Sequence, residues 1–204
     1  MERIREFLGV QLRRGFRPIL SALQWLRITP NQISTVGLVL NVGAAALVLF
    51  DHLIYAGIVF LVAGCFDLLD GALARRAGKV TPFGAFLDST LDRVSEGFIL
   101  AAIAYRLAEQ GRNIDVALVV LALLGSVLVS YTRARAESLG VECKVGLMSR
   151  PERVVLIAIG LFFDVLPYVV YVMLALTVLT VIQRVVHTYR QLGKQEKQGG
   201  IVER

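Results

Sequence analysis

Long apolar stretches alternate with short polar breaks along most of this chain. Six of them approach the roughly 20 residues a helix needs to cross a bilayer, at about 32–50, 53–75, 83–107, 114–135, 151–165 and 167–188. The fifth is the shortest. Start signals precede three of them: Thr29-Pro30-Asn31-Gln32 and Ser149-Arg150-Pro151-Glu152 read as capping boxes, and Thr81-Pro82 as an N-cap followed by a first-turn proline. Upstream, Ile4, Phe7, Leu8, Leu12, Phe16, Ile19, Leu20 and Leu23 recur at helical spacing, while Arg3, Arg13, Arg14 and Arg17 lie off that stripe. This predicts an amphipathic helix over 1–28 lying on a membrane surface. Residues 191–204 are polar, and disorder is expected there from Leu192 onward. The pattern predicts an all-α integral membrane protein, with six transmembrane helices over 29–190 between an interfacial helix and a polar tail.

Composition agrees: 56% of the 204 residues are hydrophobic and the mean hydropathy is +0.66, too apolar for a soluble domain of this length. Charge adds orientation. If the N-terminus is cytoplasmic, all but Arg106 and Arg112 of the 22 basic residues fall on the inner side, which predicts cytoplasmic termini. The net charge of +6 then belongs to one face, suited to anionic head groups and phosphorylated substrates rather than nucleic acid. Met1–Gly15 is too charged to hold a signal-peptide core, and Cys65 and Cys143 are placed too differently to predict a disulfide.

Four aspartates interrupt the apolar pattern. No charge occurs from Leu53 to Phe66, and then come Asp67 and Asp70 in the second stretch, with Asp88 and Asp92 in the third. At about 1.5 Å per residue, Asp70 and Asp88 would lie roughly 6–7 Å below the inner surface, and Asp67 and Asp92 roughly 12 Å. A carboxylate at membrane depth costs roughly 2.5–3.5 kcal/mol on insertion scales, so four of them demand compensation. Residues three or four apart share a helix face, so two antiparallel helices would bring these side chains together. An all-oxygen set of this kind suits magnesium or manganese, and no His or Cys lies between 67 and 92 to offer softer ligation.

Written out, the run is Asp67-x2-Asp70-Gly71-x2-Ala74-Arg75-x8-Gly84-x3-Asp88-x3-Asp92. It resembles the signature of the CDP-alcohol phosphotransferases, membrane enzymes that join a CDP-linked alcohol, usually a lipid, to a second alcohol and release CMP. The resemblance covers about residues 29–190. It implies two magnesium ions, with manganese as a substitute, on Asp67, Asp70, Asp88 and Asp92, and makes Asp92 the catalytic base. It implies contacts to the CDP-lipid from Asn31, Gln32, Ile33, Ser34, Asp67, Asp70, Gly71, Ala74, Arg75, Thr81 and Gly84. It also implies a homodimer with a cytoplasmic site in the cell membrane. Divalent ions neutralise a pyrophosphate and polarise phosphorus, while a carboxylate can take the attacking hydroxyl's proton.

Further along, the 130–137 segment Ser-Tyr-Thr-Arg-Ala-Arg-Ala-Glu, Arg150-Pro151-Glu152-Arg153 and Gln183-Arg184 resemble the inositol-phosphate region of the phosphatidylinositol-phosphate synthases and their archaeal relatives. The resemblance implies that Arg133, Arg135, Arg153 and Arg184 bind the acceptor's phosphate, which guanidinium groups can do bidentately. The expected activity is phosphatidyl transfer from CDP-diacylglycerol or a related CDP-lipid to inositol phosphate. Glycerol 3-phosphate is the alternative acceptor, and a cation or proton transporter using intramembrane carboxylates is the alternative of another class. Of the remaining polar residues, Asn41 is expected to hydrogen-bond between helices, and Arg76 to anchor the second span.

Overall fold

A computed structural model describes residues 29–76 and 81–202; the side chains of Leu68, Asp70, Ala72, Ala74, Arg75, Arg76 and residues 196–202 lie outside that description. The amphipathic segment 1–28 also falls outside it. The described residues form six helices and no strands: α1 (Pro30–Leu49), α2 (Leu53–Arg76), α3 (Pro82–Glu109), α4 (Asn113–Ser138), α5 (Arg150–Phe163) and α6 (Leu166–Val202). The first five helices begin and end within a few residues of the apolar stretches read from the sequence.

The start signals act locally as their chemistry requires. Gln32 N–H donates to Thr29 Oγ1 (3.3 Å) and Thr29 N–H to Gln32 Oε1 (2.8 Å), closing the box that opens α1. Thr81 Oγ1 accepts from Gly84 N–H (3.0 Å) at α3, and Ser149 N–H donates to Glu152 Oε2 (2.9 Å) at α5. Each first turn thus meets backbone donors that a helix leaves unpaired.

The helices close into a ring, since α1 packs on α2 and α3, α2 on α5, α5 on α6, α6 on α4, and α4 on α3. The helices carrying the aspartates are therefore not the closely packed pair expected from the short connection between them. Both flank α1, which separates their backbones and leaves a polar interior between them.

That interior is closed at one end. Ala45 and Val48 of α1, Ala56 and Phe60 of α2, Ile99 and Ile103 of α3, Val119 and Ala122 of α4, Ile157 and Leu161 of α5 and Leu166 and Met173 of α6 form one buried apolar cluster. All of these belong to the half of each helix far from Pro30, Pro82 and Arg150, so the ring is plugged there and polar at the opposite end. Outside the plug, Arg106 pairs with Asp51 and with Asp164 (3.2 Å), tying together the loops that follow α1 and α5.

By length and apolar composition α1, α4 and the Leu166–Gln195 part of α6 can each cross a membrane. Large apolar side chains such as Val39, Ile54, Val120, Val155 and Ile182 face outward around the ring, as a lipid-facing surface requires. With 14 residues α5 spans only about 21 Å of a roughly 30 Å hydrocarbon core. Any remaining depth would fall to the segment before it, which is folded against α6: Met148 N–H donates to Thr180 Oγ1 (3.0 Å) and Arg184 Nε to Val145 O (3.0 Å). Non-helical backbone is tolerated at such depth when protein satisfies it.

The expected disorder after Leu192 is corrected by the structure, in which α6 continues to Val202. Residues 194–198, Lys-Gln-Glu-Lys-Gln, are good helix formers, and Leu192 packs against a small cluster of Ala136, Val141 and Cys143. Asn41 also differs from expectation: its Nδ2 donates within α1, to Gly37 O (2.9 Å), rather than to another helix.

Candidate active site

Arg150 is the hub of the polar end. It occupies the first helical position of α5, and its guanidinium pairs with Asp67 Oδ2 of α2 (2.7 Å) through Nη2 and with Asp92 Oδ1 of α3 (2.6 Å) through Nη1. The two aspartates expected at the greater depth thus meet on one cation contributed by a third helix. Asp88, one turn from Asp92, lies within electrostatic reach of both carboxylates. Asp70 lies one turn from Asp67 along α2, and its side chain, like those of Ala74 and Arg75, is outside the described residues, so their placement toward a ligand is not described.

Glycine makes the approach of α1 possible. A Cβ on Gly37 would stand 3.1 Å from Asp67 Oδ1 and 3.7 Å from Phe66 Cβ, so a larger residue would press on the carboxylate. At the mouth of the site, a Cβ on Gly84 would meet Thr81 Oγ1 at 2.9 Å and Asn31 Oδ1 at 3.3 Å. Asn31, Thr81 and Gly84 therefore form one cluster where α1 and α3 begin. Beside them, Gln32 completes the cap of α1, Ile33 is buried, and Ser34 Oγ donates to Pro30 O (3.2 Å).

Beside Asp92 opens a cavity of about 320 Å³ lined by Arg93, Arg133, Arg150, Arg153 and Arg184. The arginines differ in their commitments. Arg153 is buried and holds Glu96 of α3 bidentately, with Nε to Oε1 at 2.6 Å and Nη2 to Oε2 at 2.8 Å. Arg184 is buried too, and donates to the backbone oxygens of Val145 and Val129. Arg133 is more open and pairs with Glu137 (2.8 Å) along its own helix. Arg135 is exposed and does not line the cavity. Positions two apart on a helix point about 200° away from each other, so Arg133 and Arg135 cannot face the same space.

Gly37 escaped the sequence reading, and Arg150 was read as part of the Arg150-Pro151-Glu152-Arg153 segment without being named among the phosphate-binding arginines. Arg150 looked like any arginine at a membrane boundary, and Gly37 like an ordinary small residue in a span. Besides its place in that segment, Arg150 carried a further signal, its position inside a capping box at the start of a short helix.

Could these residues hold a divalent cation? Among the described residues no three His, Cys, Asp or Glu side chains converge as a finished cage. The chemistry of the donors nevertheless fits: oxygens from α2 and α3 already share one positive charge, and Asp88 adds negative charge beside them. Oxygens from two helices gathered on one guanidinium, with Asp88 within electrostatic reach, make the hard all-oxygen donor set that suits a divalent ion.

The profile of the CDP-alcohol phosphatidyltransferase family matches residues 27–186. The chain belongs to that family. Archaetidylinositol phosphate synthase of Pyrococcus horikoshii is 40% identical over 168 residues, spanning 82% of this chain and 87% of the relative. The crystal structure of phosphatidylinositol phosphate synthase of Mycobacterium tuberculosis with CDP-DAG bound is similar with a TM-score of 0.77 at 30% identity, covering 84% of this chain and 92% of that one. The same mycobacterial enzyme in complex with manganese and citrate gives a TM-score of 0.78 at 30% identity, over 84% and 88%. The phosphatidyltransferase is thus a multi-pass membrane protein, and the family assignment displaces the transporter alternative.

Proposed function

We propose that this phosphatidyltransferase moves a phosphatidyl group, or its ether-linked counterpart, from a CDP-linked lipid to a hydroxyl of inositol phosphate, with release of CMP. The observation that carries this reading is the cavity of about 320 Å³ in which Arg133, Arg153 and Arg184 adjoin Asp92. An anionic group bound there would set its alcohol against a carboxylate able to accept a proton. Relatives named archaetidylinositol phosphate synthase and phosphatidylinositol phosphate synthase support the choice of acceptor.

Asp67, Asp70, Asp88 and Asp92 would hold divalent cations, two magnesium ions or manganese in their place. Bound there, such ions would neutralise the pyrophosphate and polarise the phosphorus under attack. The remaining work belongs to the chain. Asn31, Thr81, Gly84, Gly71 and Arg75 would bind the cytidine diphosphate at the start of α1 and α3 and the end of α2, while the lipid tails stay in the bilayer. Asp92 would take the proton from the acceptor hydroxyl as its oxygen bonds to the lipid-side phosphorus and the bond to the CMP oxygen breaks. The apolar plug keeps water from the far side out of the ring. Positioning and charge neutralisation supply most of the rate in such reactions.

The distribution of basic residues supports a site and termini on the cytoplasmic side of the cell membrane, since Arg106 and Arg112 belong to the opposite end of the ring from Arg150. A homodimer completes the reading on family likeness, and sizing in nanodiscs would test it. For the activity itself, purified protein is incubated with CDP-diacylglycerol or its archaeal ether analogue and with inositol phosphate and glycerol 3-phosphate in competition. A lipid product carrying inositol phosphate, identified by mass, is expected. Consumption of glycerol 3-phosphate alone would mean that the arginine cavity has been misassigned.

A further inference from the structure

Arg150 belongs to two spaces at once. It lines the large arginine cavity and also a small void of about 10 Å³ bounded by Asn41, Asp67, Ser95 and Glu96. Its backbone has little freedom. Ser149 and Glu152 cap the turn around it, Pro151 follows it, and Arg153 one turn later is tied to Glu96. The side chain is less constrained, and it borders both the carboxylates and the cavity.

Its two partners, Asp67 Oδ2 and Asp92 Oδ1, belong to the carboxylates read above as cation ligands, and the inference rests on that reading. A divalent ion on those groups carries twice the charge of a guanidinium and would compete for the same oxygens. The displaced guanidinium would enter a cavity whose arginines are partly compensated, Arg153 by Glu96 and Arg133 by Glu137. An additional positive charge there favours an anion, and a guanidinium suits phosphate in particular because of its fork of donors. We infer that Arg150 is an exchangeable counter-ion, which holds Asp67 and Asp92 together without a divalent cation and, when one displaces it, turns into the cavity to take the acceptor's phosphate. Cation and phosphate then bind cooperatively, and linkage makes the effect reciprocal.

The test uses the full chain in nanodiscs, with Mn²⁺ binding followed by the electron paramagnetic resonance of the free ion and inorganic phosphate as the second probe. Arg150→Gln should bind Mn²⁺ about tenfold tighter than the unaltered protein, because the competing guanidinium and its two ion pairs have gone. The strengthening of phosphate binding by Mn²⁺ in the unaltered protein should shrink several-fold in Arg150→Gln. Arg150→Lys keeps the charge without the fork and should fall between the two, and it carries the test if the glutamine variant does not fold. Mn²⁺ affinity that is unchanged or lower in both variants, or a phosphate effect equal to that of the unaltered protein, would overturn the exchange. Asp67→Asn separates the inference from the reading beneath it. If this change abolishes Mn²⁺ binding while the Arg150 variants behave like the unaltered protein, the carboxylate site stands and the exchange fails. If it leaves Mn²⁺ binding intact, the carboxylate site itself is misread and the exchange falls with it.

Discussion

Arg153 holds Glu96 in a buried bidentate pair, 2.6 Å and 2.8 Å, that joins α5 to α3 across the polar interior of the ring. Removing one partner of a buried pair leaves an uncompensated charge, so Arg153→Met should cost about 3–5 kcal/mol of stability. Glu96→Gln combined with Arg153→Met should recover most of that loss, which thermal unfolding of the single and double variants in detergent would measure. The double variant also separates two roles of the arginine. Recovered stability without recovered transfer would mean that Arg153 touches the acceptor as well as bracing α5.

A second prediction follows from the approach of α1 to α2. In Gly37→Ala the new methyl would stand 3.1 Å from Asp67 Oδ1, a distance at which the carboxylate must shift by a few tenths of an ångström. Displacements approaching 1 Å at a reacting centre can cost about 10²-fold in rate, so the alanine variant should lose about tenfold in transfer and Gly37→Val considerably more. The melting temperature should barely move in the alanine variant, because the conflict is with one side chain rather than with backbone. An alanine variant with full activity would mean that the position of Asp67 is not critical.

Which parts of this arrangement can be read before the helices are assembled follows from the reach of each signal. Caps and apolar periodicity are local, so Thr29, Thr81 and Ser149 mark helix starts correctly and the aspartates can be assigned to one face of each helix. Ring order is not local. No spacing in the sequence says that α1 packs on both α2 and α3, or that α5 brings Arg150 between Asp67 and Asp92. The exclusion of Arg135 from the cavity was legible in principle, since its two-residue offset from Arg133 places it on another face. The helical extension past Leu192 was hidden by composition, because the packing of Leu192 against a neighbouring cluster is a tertiary contact that a polar sequence does not announce.

Asp92 and Asp70 are expected to fail in the same assay for different reasons. On the proposed mechanism Asp92→Asn would remove the proton acceptor and a cation ligand, and general-base loss alone would account for about 10²–10⁴-fold in rate. Asp70→Asn should abolish transfer through cation binding, with the fold retained. Mn²⁺ titration together with CMP release measures both. Full activity in excess chelator would contradict the reading of these carboxylates as cation ligands.

The contact between α4 and α6 gives a test of the fold that does not touch the site. A Cβ on Gly125 would stand 2.5 Å from Thr177 Oγ1 and 3.1 Å from Thr177 Cβ, and Thr177 is fully buried. Gly125→Ala should therefore destabilise the protein by about 1–3 kcal/mol through overpacking. Thr177→Ala removes the hydroxyl that causes the worst clash, at the loss of its hydrogen bond to Leu174 O (3.0 Å), worth about 1 kcal/mol. The double variant should then melt close to Thr177→Ala alone, and well above Gly125→Ala. Simple additivity of the two losses in thermal unfolding would mean that α4 and α6 do not meet at this pair.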